Sequence, residues 1–290
     1  MKKLAIFLAL LLGLVSSLCA QVTVKVILDQ NQFVPNEAIP VRVRVVNHSG
    51  QTINFGDEDW LSYSVEAEDG LVVLKSGEPP EAHDFNVRSS EMATTPKTDL
   101  APYFLIARPG RYSITATVRI KDWDRAVVSK PVHFDVVRGV VIWEQDFGVP
   151  QSATNHSEPE VRRYILQQAT MSRDMKLYLR LTDAAETKTL RVVPIGPLIS
   201  FSDPQTRIDA LSDLHLLYQA GARQYSYTVF NPNGDLLIRQ TYAYAETTPR
   251  LSTDNTGRVG VVGGLRHFED NDIPSSKPTL TNVIPPPVDH

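Results

Sequence analysis

Residues 213–242 read DLHLLYQAGARQYSYTVFNPNGDLLIRQTY, and this stretch decides the fold class. Its apolar residues fall in short runs rich in Leu, Tyr, Val and Ile, broken at Ala220-Gly221 and at Asn231-Pro232-Asn233-Gly234. Runs of that length between such breaks spell three strands joined by two tight turns. Pro232 presets φ for the second position of a type I turn, and Gly234 accepts the positive φ that a following bulge requires. The Pro-Asn-Gly element is therefore read as a hairpin and given no chemical role.

The pattern recurs on both sides. LYLRL at 177–181 leads to Pro194-Ile195-Gly196 and then LISF at 198–201, and a shift of 38 residues lays Pro194 on Pro232, Gly196 on Gly234 and Leu198 on Leu236. A third start is DNTG at 254–257, running into 258–264. A four-stranded unit repeated about every forty residues resembles a β-propeller blade, although chance similarity among turn-rich strands explains the same spacing. The chain has room for about three blades, whereas a closed ring takes about four to eight. Residues 139–265 are expected to form a second antiparallel β domain with blade-like repeats. Its sheets would make a sandwich or an open barrel, or bury their edges on the first domain or on a second copy.

Going back to the start, Met1-Lys2-Lys3, the apolar run 4–15 and the small residues up to Ala20 have the layout of a secretory signal peptide. The apolar core is too short for a membrane span. Residues 1–20 are read as the signal and the mature chain as beginning at Gln21, which makes the protein periplasmic or extracellular. Lipidation at Cys19 is the competing reading, but Leu18 stands where that pattern wants a small residue. Cleavage after Ala20 removes the only cysteine and leaves no thiol for a disulfide, a nucleophile or a metal. It also takes the formal charge from -4 to -6 as Lys2 and Lys3 leave. A mildly acidic chain with no long run of one sign argues against a nucleic-acid partner.

Residues 39–45, IPVRVRV, alternate Ile39, Val41, Val43 and Val45 against Arg42 and Arg44, the pattern of a half-buried strand. Pro40 belongs at its start or on an edge. Strands are also expected at 22–28, 51–55, 62–67, 112–120 and 127–137, with Asp69-Gly70 turning the chain back into 71–74 and a Pro/Ser/Thr-rich loop at 76–98. Seven or eight short strands over about 115 residues make 21–138 an immunoglobulin-like β-sandwich. FVPNEAIPVRVRVVN at 33–47, the stretch from Gly56 to Trp60 and RPGRY at 108–112 resemble bacterial extracytoplasmic sandwich modules, the BsuPI-type proteinase-inhibitor domain and macroglobulin-like modules among them. That resemblance implies a fold and, as a secondary expectation, protease inhibition. The boundary is placed at Arg138-Gly139. Residues 161–169 fit a strand or a short helix, the strand being favoured by its β neighbours. From 266 to 290 the chain turns polar and Pro-rich and is expected to be a disordered tail.

Chemistry is sparse. There is no GxSxG, HExxH, Walker or GxGxxG pattern, and none of the seven histidines lies two to four residues from another. Asp213 and His215 share a strand face at i and i+2, but without a partnered nucleophile His215 is read as a hydrogen-bonded strand residue. Residues 57–59, Asp122 with Asp124, and 269–272 are acidic turns without calcium-loop spacing; 57–59 is the pick if any binds calcium. Of Trp60, Trp123 and Trp143, two are expected in cores, an exposed one being a platform for sugars or peptides. NHS at 47–49 and at 155–157 fits the glycosylation pattern, which marks surface loops where the host has that machinery, but the Met-Lys-Lys start looks bacterial and both are read as coincidence. No catalytic, cofactor-binding or metal-ligating residue is assigned, and no cofactor. The expected protein is an all-β, non-enzymatic component of the bacterial envelope that presents loops or sheet edges to a protein or glycan. The alternative is a protease inhibitor or an accessory domain of a hydrolase.

Overall fold

A computed structural model describes residues 22–56, 59–80, 85–150, 160–199 and 203–274. The signal-peptide and Cys19 readings lie outside these residues. The chain divides into two units, 1–138 and 139–290, at the boundary expected from sequence. The fold is all-β, and among the described residues no helix is long and apolar enough to cross a membrane.

The first unit is built from β1 (Val22–Leu28), β2 (Gln32–Phe33), β3 (Pro40–Asn47), β4 (Ile53–Phe55), β5 (Leu61–Ala67), β6 (Phe85–Val87), β7 (Met92–Thr94), β8 (Thr98–Asp99), β9 (Gly110–Ile120), β10 (Arg125–Val128) and β11 (Val132–Val136). One sheet runs β1-β3-β7, with β8 also on β3; the other runs β10-β9-β11-β2, with β5 also on β9; β4 and β6 form a small third sheet. Alternation does the folding. Val41, Val43 and Val45 are fully buried and sit in register with Leu28, Val26 and Val24, while Arg42 and Arg44 between them face outward. On β9, Tyr112, Ile114, Ala116, Val118 and Ile120 point inward to the same core. Each buried Val or Ile among them contributes about 1.5–3 kcal/mol relative to leaving it exposed. Phe33 meets Phe134 edge-on at 5.7 Å, and Phe55, Trp60 and Phe85 close a second aromatic cluster. Pro40 is the first residue of β3, where its missing N–H does no harm. The stretch expected as a plain loop at 76–98 holds β6 and β7 and reaches β8; strands of two or three residues are too short to show a period.

The second unit begins with a four-stranded antiparallel meander, β12 (Val140–Val149), β13 (Glu160–Thr170), β14 (Met175–Asp183) and β15 (Thr189–Pro197). A second meander follows, β16 (Gln205–Ile208), β17 (Leu214–Gly221), β18 (Gln224–Phe230) and β19 (Leu236–Ala243). After the hairpin β20 (Arg250–Thr253) and β21 (Val259–Val262), β22 (Leu265–His267) returns to the edge of β19. The ambiguous 161–169 is strand. The run LHLLYQ on β17 is continuous because both of its faces are covered. Leu214, Leu216 and Tyr218 pack with Tyr164, Leu166, Leu177 and Leu179 of the first meander. Leu217 packs on the other side with Tyr227, Val229 and Leu251 of the β20–β21 hairpin.

The Asn231–Asp235 turn is as expected: the Gly234 N–H reaches the Asn231 carbonyl at 2.8 Å, Gly234 has φ of 78°, and the ladder shifts register between Val229 and Phe230. The 38-residue correspondence does not survive. Pro194 and Gly196 lie inside β15, not in a turn. β15 is a sheet edge, where a proline costs no ladder bond, and Ile195 between them is the extra residue of a bulge. The two meanders repeat as layouts of strands, not residue by residue.

The expected disordered tail needs correcting at its start. Arg266 lies on β22, and Ile273 exchanges two backbone hydrogen bonds with Arg239 at 2.9 and 3.0 Å. Arg266 donates to the Asp272 carboxylate at 2.7 Å, with the Asp272 side chain fully buried, and lies over the Tyr242 and Phe268 rings. Polar composition misled here because the two charges neutralise one another. Residues 275–290 lie outside the described residues.

Candidate apolar binding groove

One surface of the first unit grows out of the turn after β5. Gly70, with φ of 79°, donates to the Ala67 carbonyl, and the Asp69 carboxylate accepts the Leu71 N–H at 3.0 Å, so the chain reverses. Residues 71–76 then run extended between two neighbours. On one side Val73 donates to the Val65 carbonyl at 2.8 Å; on the other Leu105 donates to Leu74 at 3.1 Å and Ser76 to Tyr103 at 3.0 Å. Backbone groups are thus satisfied while the side chains are not covered. Leu71, Val72, Leu74 and Leu105 are 68%, 64%, 72% and 61% exposed. All four line one depression of about 770 Å³, which residues 107–112 also border.

One side-chain hydrogen bond ties the turn at 108–110 to β9. The Tyr112 hydroxyl donates to the Arg108 carbonyl at 2.8 Å, fixing the Arg108-Pro109-Gly110 turn. Burial pushes the Tyr112 hydroxyl above the usual tyrosine value, with the Arg108 charge opposing. Beside it Arg111 pairs with Asp135 at 2.9 Å, and Glu68 and Asp69 mark the other rim. The floor is apolar and the rims carry both signs.

In the second unit His215 is buried, and its partner is not the Asp213 that shares its strand face on paper. Asp213 precedes β17, so the period-two rule does not reach it. His215 Nε2 faces Asp209 Oδ2 at 3.3 Å, and Nδ1 faces the Tyr227 hydroxyl at 2.7 Å. A neutral imidazole satisfies both, accepting from Tyr227 and donating to Asp209. Burial first, then Tyr242 and Asp209, push the Tyr227 hydroxyl to about 12, so it keeps its proton at neutral pH. The hydrogen-bonded trio includes no serine, threonine or cysteine, and both of its ring nitrogens are committed. It reads as a closed internal network holding the β16–β17 turn.

The other sequence candidates scatter. Trp60 is buried, whereas Trp123 and Trp143 are half-buried against their cores. Residues 57 and 58 of the calcium pick lie outside the described residues, and Asp272 of the 269–272 turn is bound to Arg266. Among the described residues no group of three or more His, Cys, Asp or Glu side chains gathers. The Asn47 side chain is fully buried, donating to Gln51 and Val87 carbonyls, so this glycosylation pattern is no surface mark; Asn155 lies outside the described residues. The groove itself was missed in sequence. Its signal was Leu71-Val72-Val73-Leu74, an apolar run with no polar alternation, and Leu105 reaches it only through tertiary pairing.

No protein-family model matches the chain, and no curated protein matches it. Among solved structures it is similar to a family 123 glycoside hydrolase from Clostridium perfringens, at 13% identity over 41% of this chain and 28% of that one, with a TM-score of 0.28. It is similar to the sporulation control protein Spo0M from Bacillus subtilis, at 9% identity over 61% of this chain and 89% of that one, TM-score 0.29. A third likeness is to the E. coli chaperone DraB, at 10% identity over 74% and 94%, TM-score 0.24. The chain spans only 28% of the hydrolase's length, and at such TM-scores none of the three says what this chain does.

Proposed function

We propose that this is a secreted or periplasmic, non-enzymatic binding protein of the bacterial envelope, whose first unit holds an extended segment of another protein in the groove between residues 67–74 and 105–112. The observation that carries it is the set of four exposed aliphatic side chains, Leu71, Val72, Leu74 and Leu105, gathered on one depression. Isolated exposed leucines are ordinary, but a contiguous apolar patch rimmed by charge is the usual mark of an interaction site. An extended peptide suits it, because the floor is itself an extended segment that presents aliphatic side chains along its length. The mixed rim of Glu68, Asp69 and Arg108 favours a polypeptide over an acyl chain, whose whole length is apolar. Export by the first twenty residues is part of the same reading.

The test is selection of displayed random dodecapeptides on the mature chain, followed by titration of enriched peptides against the wild type and Leu74→Asp. Peptides rich in alternating apolar residues should emerge and lose about tenfold or more in affinity in the variant, about 1.4 kcal/mol. Equal affinity for both proteins, or no enrichment over an unrelated β protein, removes the reading.

A further inference from the structure

We infer that the first unit carries a second site, independent of the groove, at the β9–β10 hairpin end, where a neutral sugar ring stacks on Trp123. The depression there measures about 440 Å³ and is lined by Ser49, Gln51, Trp123, Asp124 and Arg125. That volume falls in the ordinary range of small-ligand sites, about 300–1,000 Å³.

One wall is set by backbone conformation and the other by a buried side chain. After β9 the chain makes a single 3-10 turn, Lys121–Trp123, and Asp124 takes a left-handed conformation, φ 45° and ψ 44°, with its N–H on the Lys121 carbonyl at 3.0 Å. The left-handed region is uncommon for residues other than glycine, and aspartate tolerates it better than most. The reversal places Arg125 opposite Ile120 at the start of β10 and leaves Trp123, Asp124 and Arg125 on one depression. The facing wall is the loop after β3. Buried Asn47 is its centre: its Nδ2 donates to the Gln51 carbonyl at 2.7 Å and the Val87 carbonyl at 2.8 Å, while its Oδ1 accepts from the Ser49 N–H at 2.9 Å and the Ser49 hydroxyl at 2.7 Å. The Ser49 side chain and the Gln51 backbone are therefore held before any ligand arrives, so less backbone ordering is lost on binding.

The chemistry of the unspent groups selects the ligand. Trp123 is half-buried, with part of its ring packed against the core. Among the described residues the indole N–H and the side chains of Gln51, Asp124 and Arg125 make no hydrogen bond or ion pair, so their donors and acceptors remain for a ligand. An anion is opposed by Asp124 and a cation by Arg125, which leaves a neutral ligand rich in hydroxyls. A pyranose has an apolar C–H face for the indole and adjacent hydroxyls that planar amide, carboxylate and guanidinium groups bridge in pairs. Ser49 is committed to Asn47 and shapes the wall.

The experiment is titration of the mature chain, residues 21–290, with neutral tetrasaccharides of glucose, mannose, galactose and N-acetylglucosamine, followed by tryptophan fluorescence and calorimetry. One of them should bind with a Kd below about 5 mM and shift the tryptophan emission, a free energy of about 3 kcal/mol or more. Arg125→Ala and Gln51→Ala change exposed side chains and leave the core alone; each should weaken binding about fivefold or more, and Trp123→Ala should abolish it. Leu74→Asp, which disables the groove, should bind the sugar as the wild type does. Absence of binding by all four sugars, or binding unchanged in Arg125→Ala and Gln51→Ala, overturns the site and leaves the groove reading standing.

Discussion

The Tyr112 hydroxyl donates to the Arg108 carbonyl across 2.8 Å, tying the first inward residue of β9 to the turn that borders the apolar groove. The ring beneath it stacks on Phe134 at 5.6 Å, so one side chain anchors both the core and the rim. Removing only the hydroxyl separates these roles. Tyr112→Phe keeps the stacking and should cost about 1 kcal/mol, the net worth of a hydrogen bond. Denaturant unfolding of the mature chain reads the loss. A variant as stable as the wild type would show that the turn needs no tether.

The Asn231–Asp235 turn makes a sharper prediction, because its glycine is required by conformation and not by space. A Cβ on Gly234 meets the Arg191 Cδ at 3.2 Å, the movable part of a long side chain, so the strain lies in the φ of 78°. Gly234→Ala should destabilise by about 1 kcal/mol. Gly148→Ala is the control, with open space around it and no positive φ. Equal melting temperatures for the two variants would mean the turn adapts at no cost.

Asp272 is the buried half of an ion pair with Arg266, and truncating it removes the carboxylate that faces the guanidinium at 2.7 Å. Loss of one partner from such a pair costs about 3–5 kcal/mol. Asp272→Ala should therefore lower the melting temperature well beyond any substitution at an exposed residue. It should also increase hydrogen exchange at the Arg239 and Ile273 amides, which bond one another's carbonyls. Unchanged exchange at those amides would detach the pair from the strand pairing.

Asp213 gives the pH dependence. Burial, and then the neighbouring Asp209, push its carboxyl above the ordinary value, with His215 opposing. An acid raised in this way holds its proton to higher pH in the folded chain than in the unfolded one. Folding takes up protons between the two values, and stability falls as pH rises through that window. Asp213→Asn should be more stable than the wild type at neutral pH, with the difference closing as pH falls toward about 4, the ordinary carboxylate range. Paired thermal melts at several pH values test the sign. A variant less stable than the wild type at neutral pH refutes it.

Much of the architecture was legible because it is local chemistry. Alternation in IPVRVRV placed β3 with its valines inward, the Pro-Asn-Gly sequence placed a turn with a positive φ, and the strand ending before Arg138 marked the boundary between the units. A period of two and the φ limits of proline and glycine act within a few residues, so one stretch of chain carries the whole signal. Pro194 shows the limit: the residue that opens a turn at 232 lies in an edge strand at 194, and the difference is which neighbour the backbone has.

What tertiary structure decided lies between residues the local rules cannot connect. His215 takes Asp209 and Tyr227 because the turn after β16 and the register of β17 on β18 bring them together. Leu105 joins Leu71, Val72 and Leu74 because a backbone hydrogen bond spans Leu74 and Leu105. Trp123 and Gln51 line one depression because buried Asn47 holds a loop from another strand near the hairpin end. The sequence by itself determined an all-β chain in two units, since strand pattern and turn chemistry depend on each residue and its near neighbours. Its candidate binding surfaces were decided only by register and packing, which set distances between residues far apart in the chain and have no local signature.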